Sequence, residues 1–334
     1  MPVIGSRKFR DGGGARWRRP LLSLALILCQ SCAIREAPPH VDPALRIPAN
    51  TFHFQDGGQA IFFSFDKSLS LEPGPAGQPQ TLVFVVSGSG CTSMQYFLPQ
   101  YFRGLEGESG PLRISILQKR FIDERAWNGS TPCSRAFVEA DHLSRWLADQ
   151  TEFILHELTT LRDQHVVAQR IVIVGISEGG DMVPLLTRQI PGVTHAVILA
   201  NGGMDPLDAY RLQTIKHGRA SSLDALAALD HRPLEPDAPA HDIGGRTWRY
   251  WAELRDLRHT DNLLAMSIPV WMAMGDADLA VPVESALFLR DQFLQHRKTN
   301  LNLHIFHGAG HSLQTDNQFL LENFWFAVDN MLKK

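Results

Sequence analysis

The stretch from Ile171 to Met182 reads IVIVGISEGGDM, and it leaves the chain few options. Ile171 to Val174 is a β-branched apolar run of the kind found in a strand buried on both faces. It enters Gly175-Ile176-Ser177-Glu178-Gly179-Gly180 with no polar linker, so the glycines themselves must make the turn. A serine hydroxyl thrust out of a tight strand-to-helix turn needs glycines two before and two after it, because a Cβ at either place collides with the turn. Gly180 adds a small residue where the following helix packs. The N-terminus of that helix offers backbone N–H groups and the positive end of its dipole to developing negative charge. The alternative is an ordinary turn serine, and the rest of the chain has to decide between the two.

The rest of the chain has the rhythm such a turn needs. Thr51 to Gln55 and Ala60 to Phe65 flank Asp56-Gly57-Gly58, a hairpin signal. Residues 73–80 (PGPAGQPQ) form a loop, and short apolar strands follow at 81–86, 112–118, 171–176, 194–200, 268–274 and 301–306. Leu143, Trp146, Leu147, Ile154, Leu158 and Leu161 recur at helical spacing, predicting one long amphipathic helix over about 136–163. Strands alternating with helix-like segments predict a mainly parallel sheet covered on both faces. More than sixty residues separate the strand ending near Ala200 from the one starting near Ile268, with helical signal around Leu223 to Leu229 and an aromatic, charged stretch from Trp248 to Leu257. That is too long for a crossover, so a helical cap or lid is expected over about 204–265; a structural extension with no role at a site is the alternative.

The N-terminus reads differently. Arg7, Lys8, Arg10, Arg16, Arg18 and Arg19 precede Leu21 to Leu28, an apolar run too short to span a bilayer, and Ser31-Cys32-Ala33 follows. This is the layout of a bacterial export signal over residues 1–33, ahead of a Pro-rich tether over 34–50. Arg18-Arg19 loosely fits a twin-arginine pattern. Cys32 is a candidate lipidation site, although Cys29 stands where leucine is usual in such a motif and Ser31-x-Ala33 serves equally as an ordinary cleavage site. The protein is therefore expected in the periplasm or outside the cell, with the outer membrane as the lipoprotein alternative, and membrane contact is expected only through such an anchor.

Removing residues 1–33 takes six bases and one acid, so the remainder carries −8 against −3 for the whole chain. Such an acidic body is a poor partner for nucleic acid. Cys91 and Cys133 remain, an even pair that reads as a disulfide in an oxidising compartment, with two buried thiols as the alternative.

A nucleophilic serine needs a base and a group that orients the base. After the strand at 268–274 comes Gly275-Asp276-Ala277-Asp278-Leu279-Ala280-Val281-Pro282, and after the strand at 301–306 comes His307-Gly308-Ala309-Gly310-His311. Both stretches fall where a parallel sheet presents functional groups, at the carboxyl ends of strands. Chain order is then Ser177, Asp278, His311.

With GISEGG, GDADLAVP and GAGH in that order, residues 51–334 resemble the α/β-hydrolase superfamily. The resemblance implies an α/β-hydrolase fold, Ser177 as nucleophile, His311 as general base and then acid, and Asp278 as the acid that fixes the imidazole tautomer. Asp276 and, less directly, Asp205 compete for the acid's place; His304 and His307 read as packing or capping groups. The oxyanion hole is implied to use the backbone N–H of Glu178 and a second from Ser87-Gly88-Ser89-Gly90, with Ser89 first and Gly90 next, since Ser87 stands where the family usually has His-Gly. A Cys91–Cys133 bridge would clamp that loop.

The doubled glycine resembles the elbow of prolyl-oligopeptidase-like and dienelactone-hydrolase-like members, and many esterases share it. Glu178 and Asp181 read as acids suited to a helix's first turn rather than as a site for a cationic substrate. Trp248, Tyr250 and Trp251 either line an acyl pocket or pack the lid onto the body. The sequence carries no metal-ligand spacing and no phosphate loop, and Gly88-Ser89-Gly90 lacks the third glycine of a dinucleotide fingerprint, so no cofactor or metal is expected. The expected reaction is cleavage of a small carboxylic ester. Peptide or amide cleavage and acyl transfer remain variants on the same triad, and a non-catalytic ligand-binding protein on a hydrolase scaffold is the alternative of another class.

Overall fold

The computed structural model describes residues 45–69, 80–129, 131–166, 168–218, 226–227, 229–230, 245–315 and 320–333. The expected signal with Cys32, most of the tether, and the loop at 73–79 lie outside the described residues.

Eight strands form one sheet: β1 (Ala49–His53), β2 (Gln59–Lys67), β3 (Gln80–Val86), β4 (Leu112–Leu117), β5 (Ala168–Ile176), β6 (His195–Leu199), β7 (Val270–Gly275) and β8 (Leu301–Phe306). Their order is β1-β2-β4-β3-β5-β6-β7-β8. β1 and β2 form the hairpin anticipated around Asp56-Gly57-Gly58, and β2 joins β4 antiparallel. Every pairing from β4 to β8 is parallel. Pairing in β1 begins before residue 51, Ala49 and Asn50 facing Phe63 and Phe62, and the Ile47 carbonyl accepts from Gln95 Nε2 at 2.8 Å.

Strand alternation divides the core. Leu82, Phe84, Val86, Ile173, Ile198, Met272 and Met274 face one side, packed under Trp146, Phe153, Leu186, Leu289 and Phe293. Val83, Val85, Val172, Val174, Val197 and Ala273 face the other, under Leu98, Phe102, Phe324 and Trp325. Both faces of the central strands are therefore dry, which is why those strands read as uninterrupted apolar runs. On the first face lie α2 (Leu143–Asp163), α3 (Val183–Gln189) and α7 (Val283–Gln295); on the second lie α8 (Leu321–Met331) and the turns around Met94 to Leu105.

Two expectations need correction. The single helix over 136–163 is two: α1 (Arg135–Ala140) and α2, broken at Asp141-His142. His142 is extended (φ −149°) and its side chain accepts from the Arg145 N–H, so it starts a new helix rather than continuing the old one. Asp141 is buried between cations at the break, a tertiary demand that overrides the periodic pattern. The strand expected from 268 begins at Val270, because Pro269 has no N–H to give to the ladder.

The segment between β6 and β7 carries α4 (Pro206–Lys216), α5 (Trp248–Asp256) and α6 (His259–Leu264). Leu207, Leu226, Leu229, Trp248, Tyr250, Trp251 and Leu254 form a separate small core there. Trp248 and Trp251 are therefore packing residues of this inserted segment. The segment docks on the body through the Glu253 carboxylate, which accepts from the Ser144 N–H at 2.7 Å.

Phe153 joins these layers, its ring 5.3 Å from Phe52, 5.2 Å from Phe62 and 6.5 Å from Phe84. Phe153→Ala is expected to cost about 3–5 kcal/mol by urea denaturation with an unchanged m-value. A cost under about 1 kcal/mol would show that the surrounding rings close over the gap.

Candidate active site

β5 ends by forcing Ser177 into the left-handed region, at φ +52°. A β-carbon is strained there, and this one is held by what surrounds it. A Cβ at Gly175 would run into the Gly179 carbonyl, and one at Gly179 into the carbonyls of Val86 and Ser87. At Gly180 it would sit 2.7 Å from the Asn201 Cβ. Gly175 and Gly179 are thus required by close backbone approach, and Gly180 by the side chains of Asn201 and Ile198. The chain leaves the turn as a 3₁₀ segment, Ser177–Met182, before α3 begins.

The structure brings Ser177, His311 and Asp278 together. His311 Nε2 lies 2.9 Å from Ser177 Oγ, and its Nδ1 lies 2.7 Å from Asp278 Oδ2. The second carboxylate oxygen, Asp278 Oδ1, accepts from the backbone N–H of Ala280 at 2.7 Å and of Val281 at 3.0 Å. The Asp278 side chain is fully buried, whereas that of His311 is 38% exposed, so this chain of hydrogen bonds runs from the interior to solvent.

The rival acids are occupied elsewhere. Asp276 meets His307 Nδ1 at 2.7 Å and the Gly308 N–H at 2.7 Å, contacts that hold its carboxyl below the usual range. Asp205 accepts from the Thr260 N–H at the start of α6. His304 stacks on Trp271, as a packing residue should.

The loop after β3 lies against the elbow: a Cβ at Gly88 would sit 3.2 Å from the Ser177 Cβ. Ser89 and Gly90 follow it in that loop, Gly90 at φ +86°. Cys91 is bridged to Cys133, with Cα atoms 5.6 Å apart, and a loop–loop hydrogen bond from the Ser93 N–H to the Ala126 carbonyl runs alongside.

The two acids of the elbow turn inward. Glu178 Oε2 accepts from Lys119 Nζ at 2.9 Å, and Glu178 Oε1 accepts from the Tyr250 hydroxyl. Asp181 accepts from Asn201 Nδ2 at 2.9 Å, and the same amide reaches the Ser177 carbonyl at 3.1 Å. His259 Nε2 faces Asn201 Oδ1 at 3.2 Å and Asp181 Oδ1 at 3.5 Å. Neither acid acts as a simple helix-end charge. Lys119, Asn201 and His259 carry no motif in the sequence, and only their burial reveals them.

Among the described residues, no group of three or more His, Cys, Asp and Glu is arranged to hold a metal ion, and no helix is long and apolar enough to cross a membrane.

A mainly parallel sheet with the serine at an elbow after its fifth strand, and with the acid and histidine after its last two, is an α/β-hydrolase. The model of the prolyl oligopeptidase family (Peptidase_S9) matches residues 128–326, and the chain belongs to that family, whose fold relatives are hydrolases of esterase and peptidase type. Among solved structures it is similar to Est1E from Butyrivibrio proteoclasticus, at 16% identity and TM-score 0.54, over 85% of this chain and 97% of that one. It is likewise similar to the butyrate-bound esterase Est2 of Thermogutta terrifontis, at 16% identity and TM-score 0.54, over 89% and 96%. The acylaminoacyl peptidase of Pyrococcus horikoshii matches at 14% identity and TM-score 0.52, over 86% of this chain but 41% of that one. No curated protein matches the chain in sequence.

The buried pair under the elbow makes a pH signature. Desolvation pushes Asp181 up from 3.8 to about 8 and pulls His259 down from 6.5 to about 3. Because Asp181 titrates higher in the fold than in the unfolded chain, its contribution to stability is complete below about pH 4 and is lost as pH rises through about 8. His259 has the opposite sign, contributing fully above about pH 6.5 and losing that contribution as pH falls toward about 3. Asp181→Asn removes the carboxyl whose titration is displaced. Relative to wild type, the variant is expected to gain roughly 1 kcal/mol per pH unit between about pH 5 and pH 8 in urea melts. A difference independent of pH would show that Asp181 is ionised in the fold.

Proposed function

We propose that the protein is a carboxylic ester hydrolase in which Ser177 is the nucleophile, His311 the general base and Asp278 the acid that orients it. The reading rests above all on the unbroken path from Ser177 Oγ to His311 at 2.9 Å and on to a fully buried Asp278 at 2.7 Å. As Oγ attacks the acyl carbon, His311 Nε2 takes its proton; the bond to the alcohol oxygen breaks, and the imidazolium returns the proton to that leaving group. Water then attacks acyl-Ser177, gives its proton to His311 and releases the acid, while Oγ recovers the proton. The Glu178 N–H and one from Ser89 or Gly90 receive the developing oxyanion.

Ester cleavage is favoured because solved structures that the chain spans nearly end to end are described as an esterase and a lipase, at 96% and 99% of their length. Two peptidases are spanned over 41% and 40%. Peptide or amide cleavage is the second reading, favoured by the family model itself. Glu178 and Asp181 are consumed internally, so the elbow offers no carboxylate to a cationic substrate. An oxidising compartment outside the cytoplasm fits both the signal expected over residues 1–33 and the Cys91–Cys133 bridge.

A fluorophosphonate probe is expected to label the wild type and to leave Ser177→Ala unlabelled. His311→Ala should lower kcat on p-nitrophenyl acyl esters by ~10⁴-fold or more, and Asp278→Asn by ~10⁴-fold through the wrong imidazole tautomer. Parallel assays with acyl-peptide p-nitroanilides separate the two substrate classes. Equal labelling of wild type and Ser177→Ala would remove Ser177 from the reaction, and silence of both would point to a binding protein.

A further inference from the structure

The side chain of Glu178 closes a ring of buried polar contacts drawn from three separate parts of the chain. Lys119, just after β4, donates to Glu178 at 2.9 Å and to Asp141 at 2.7 Å, and its Nζ lies 3.8 Å over the Trp146 ring. Asp141, at the break between α1 and α2, also pairs with Arg246 at the start of the cap's α5 region. The Arg246 guanidinium lies 4.6 Å over the ring of Tyr250, and the Tyr250 hydroxyl returns to Glu178. The cluster holds two cations and two carboxylates, so its net charge is zero.

Stability is a poor account of such a ring. Lys119 is 5% exposed, and burial pulls it down to about 8 even with carboxylates on either side, so desolvation outweighs the pairing. What the ring does accomplish is geometric. Both Glu178 oxygens are gripped, one from the body and one from the cap, and the amide of that same residue immediately follows the nucleophile. Tyr250 is itself fixed in the cap core, packed edge-on to Trp251 at 5.1 Å.

We propose that Tyr250 and Lys119 are positioning residues, which hold the Glu178 amide in place for the developing oxyanion by clamping its side chain, so that docking of the cap sets the rate of acyl transfer. The inference rests on the acyl-serine reading. Loss of the clamp blurs the aim of one donor without removing it. Tyr250→Phe is therefore expected to lower kcat about tenfold, an order below the ~10²–10³ that deletion of a donor costs, with KM changed less than about threefold. The rate constant for fluorophosphonate labelling should fall by the same factor, because phosphonylation also builds negative charge on the oxygen facing those amides. Lys119→Met, which leaves Asp141 with Arg246, is expected to show the same split between kcat and KM.

The deciding comparison is Tyr250→Phe made in a Glu178→Ala background. With nothing left to grip, the second substitution should add no further loss. If it still lowers kcat by its full factor, Tyr250 acts by supporting the cap and the proposal fails. It fails equally if Tyr250→Phe labels at the wild-type rate. A wild type that does not label at all overturns the acyl-serine reading, and this inference with it, before any variant is compared.

Discussion

Everything at the site depends on one strained residue. Ser177 carries a side chain at a backbone angle that costs a residue with a Cβ about 1–2 kcal/mol, and the fold must hold it there. It does so by crowding. The elbow is wedged between the carbonyls that end β3 and the Asn201 side chain that follows β6, at distances only glycine tolerates. Because β3 and β6 flank β5 in the sheet, the register of three parallel strands is what places the hydroxyl. Any slip in that register would remove the walls that enforce the turn.

The same logic explains why polar groups around the elbow are buried in matched sets. A lone ion in that position would be expelled or neutralised, since desolvation outweighs any single contact. Burial raises the Asp181 carboxyl to about 8 below the turn, and Asn201 joins it to the Ser177 carbonyl. Glu178 and Asp141 share Lys119, and Arg246 completes the count. Lys119 and Arg246 thus match Glu178 and Asp141 charge for charge beneath the elbow. In the proposed reaction the chemistry rests on local donors and on the histidine that reaches solvent.

Much of this was legible because it is local. A β-branched run meeting Gly-x-Ser-x-Gly-Gly states its own geometry, and Asp278 and His311 follow strands that announce themselves in the same way. The parallel core was readable from apolar runs, the hairpin from Asp56-Gly57-Gly58, and the disulfide from an even cysteine pair. The break at Asp141-His142 was not, since apolar residues keep helical spacing through α2 and the cause lies with Lys119 and Arg246, far away in the chain. Trp248 and Trp251 were ambiguous for the same reason: whether an aromatic ring lines a pocket or fills a core depends on partners such as Leu207 and Leu229 that spacing does not reveal.

The connection from β4 to α2 gives these separate observations a common frame. It holds the loop after β3 through the Cys91–Cys133 bridge and the Ser93–Ala126 hydrogen bond, with the Asn128 side chain close against Gly90. It holds the elbow through Lys119, and the cap through Asp141 and Arg246. An oxyanion is stabilised by two donors only if their separation is fixed before charge develops, because donors that must reorganise give back what they contribute. The two candidate donors here sit at the ends of neighbouring strands, β3 and β5, joined by the backbone ladder and by the close approach of Gly179 to the carbonyls of Val86 and Ser87. A single cross-linked segment touches both loops and the inserted helices, adding side-chain ties to that backbone contact. The helix break that disturbs the sequence pattern is the place where this segment turns inward to do so.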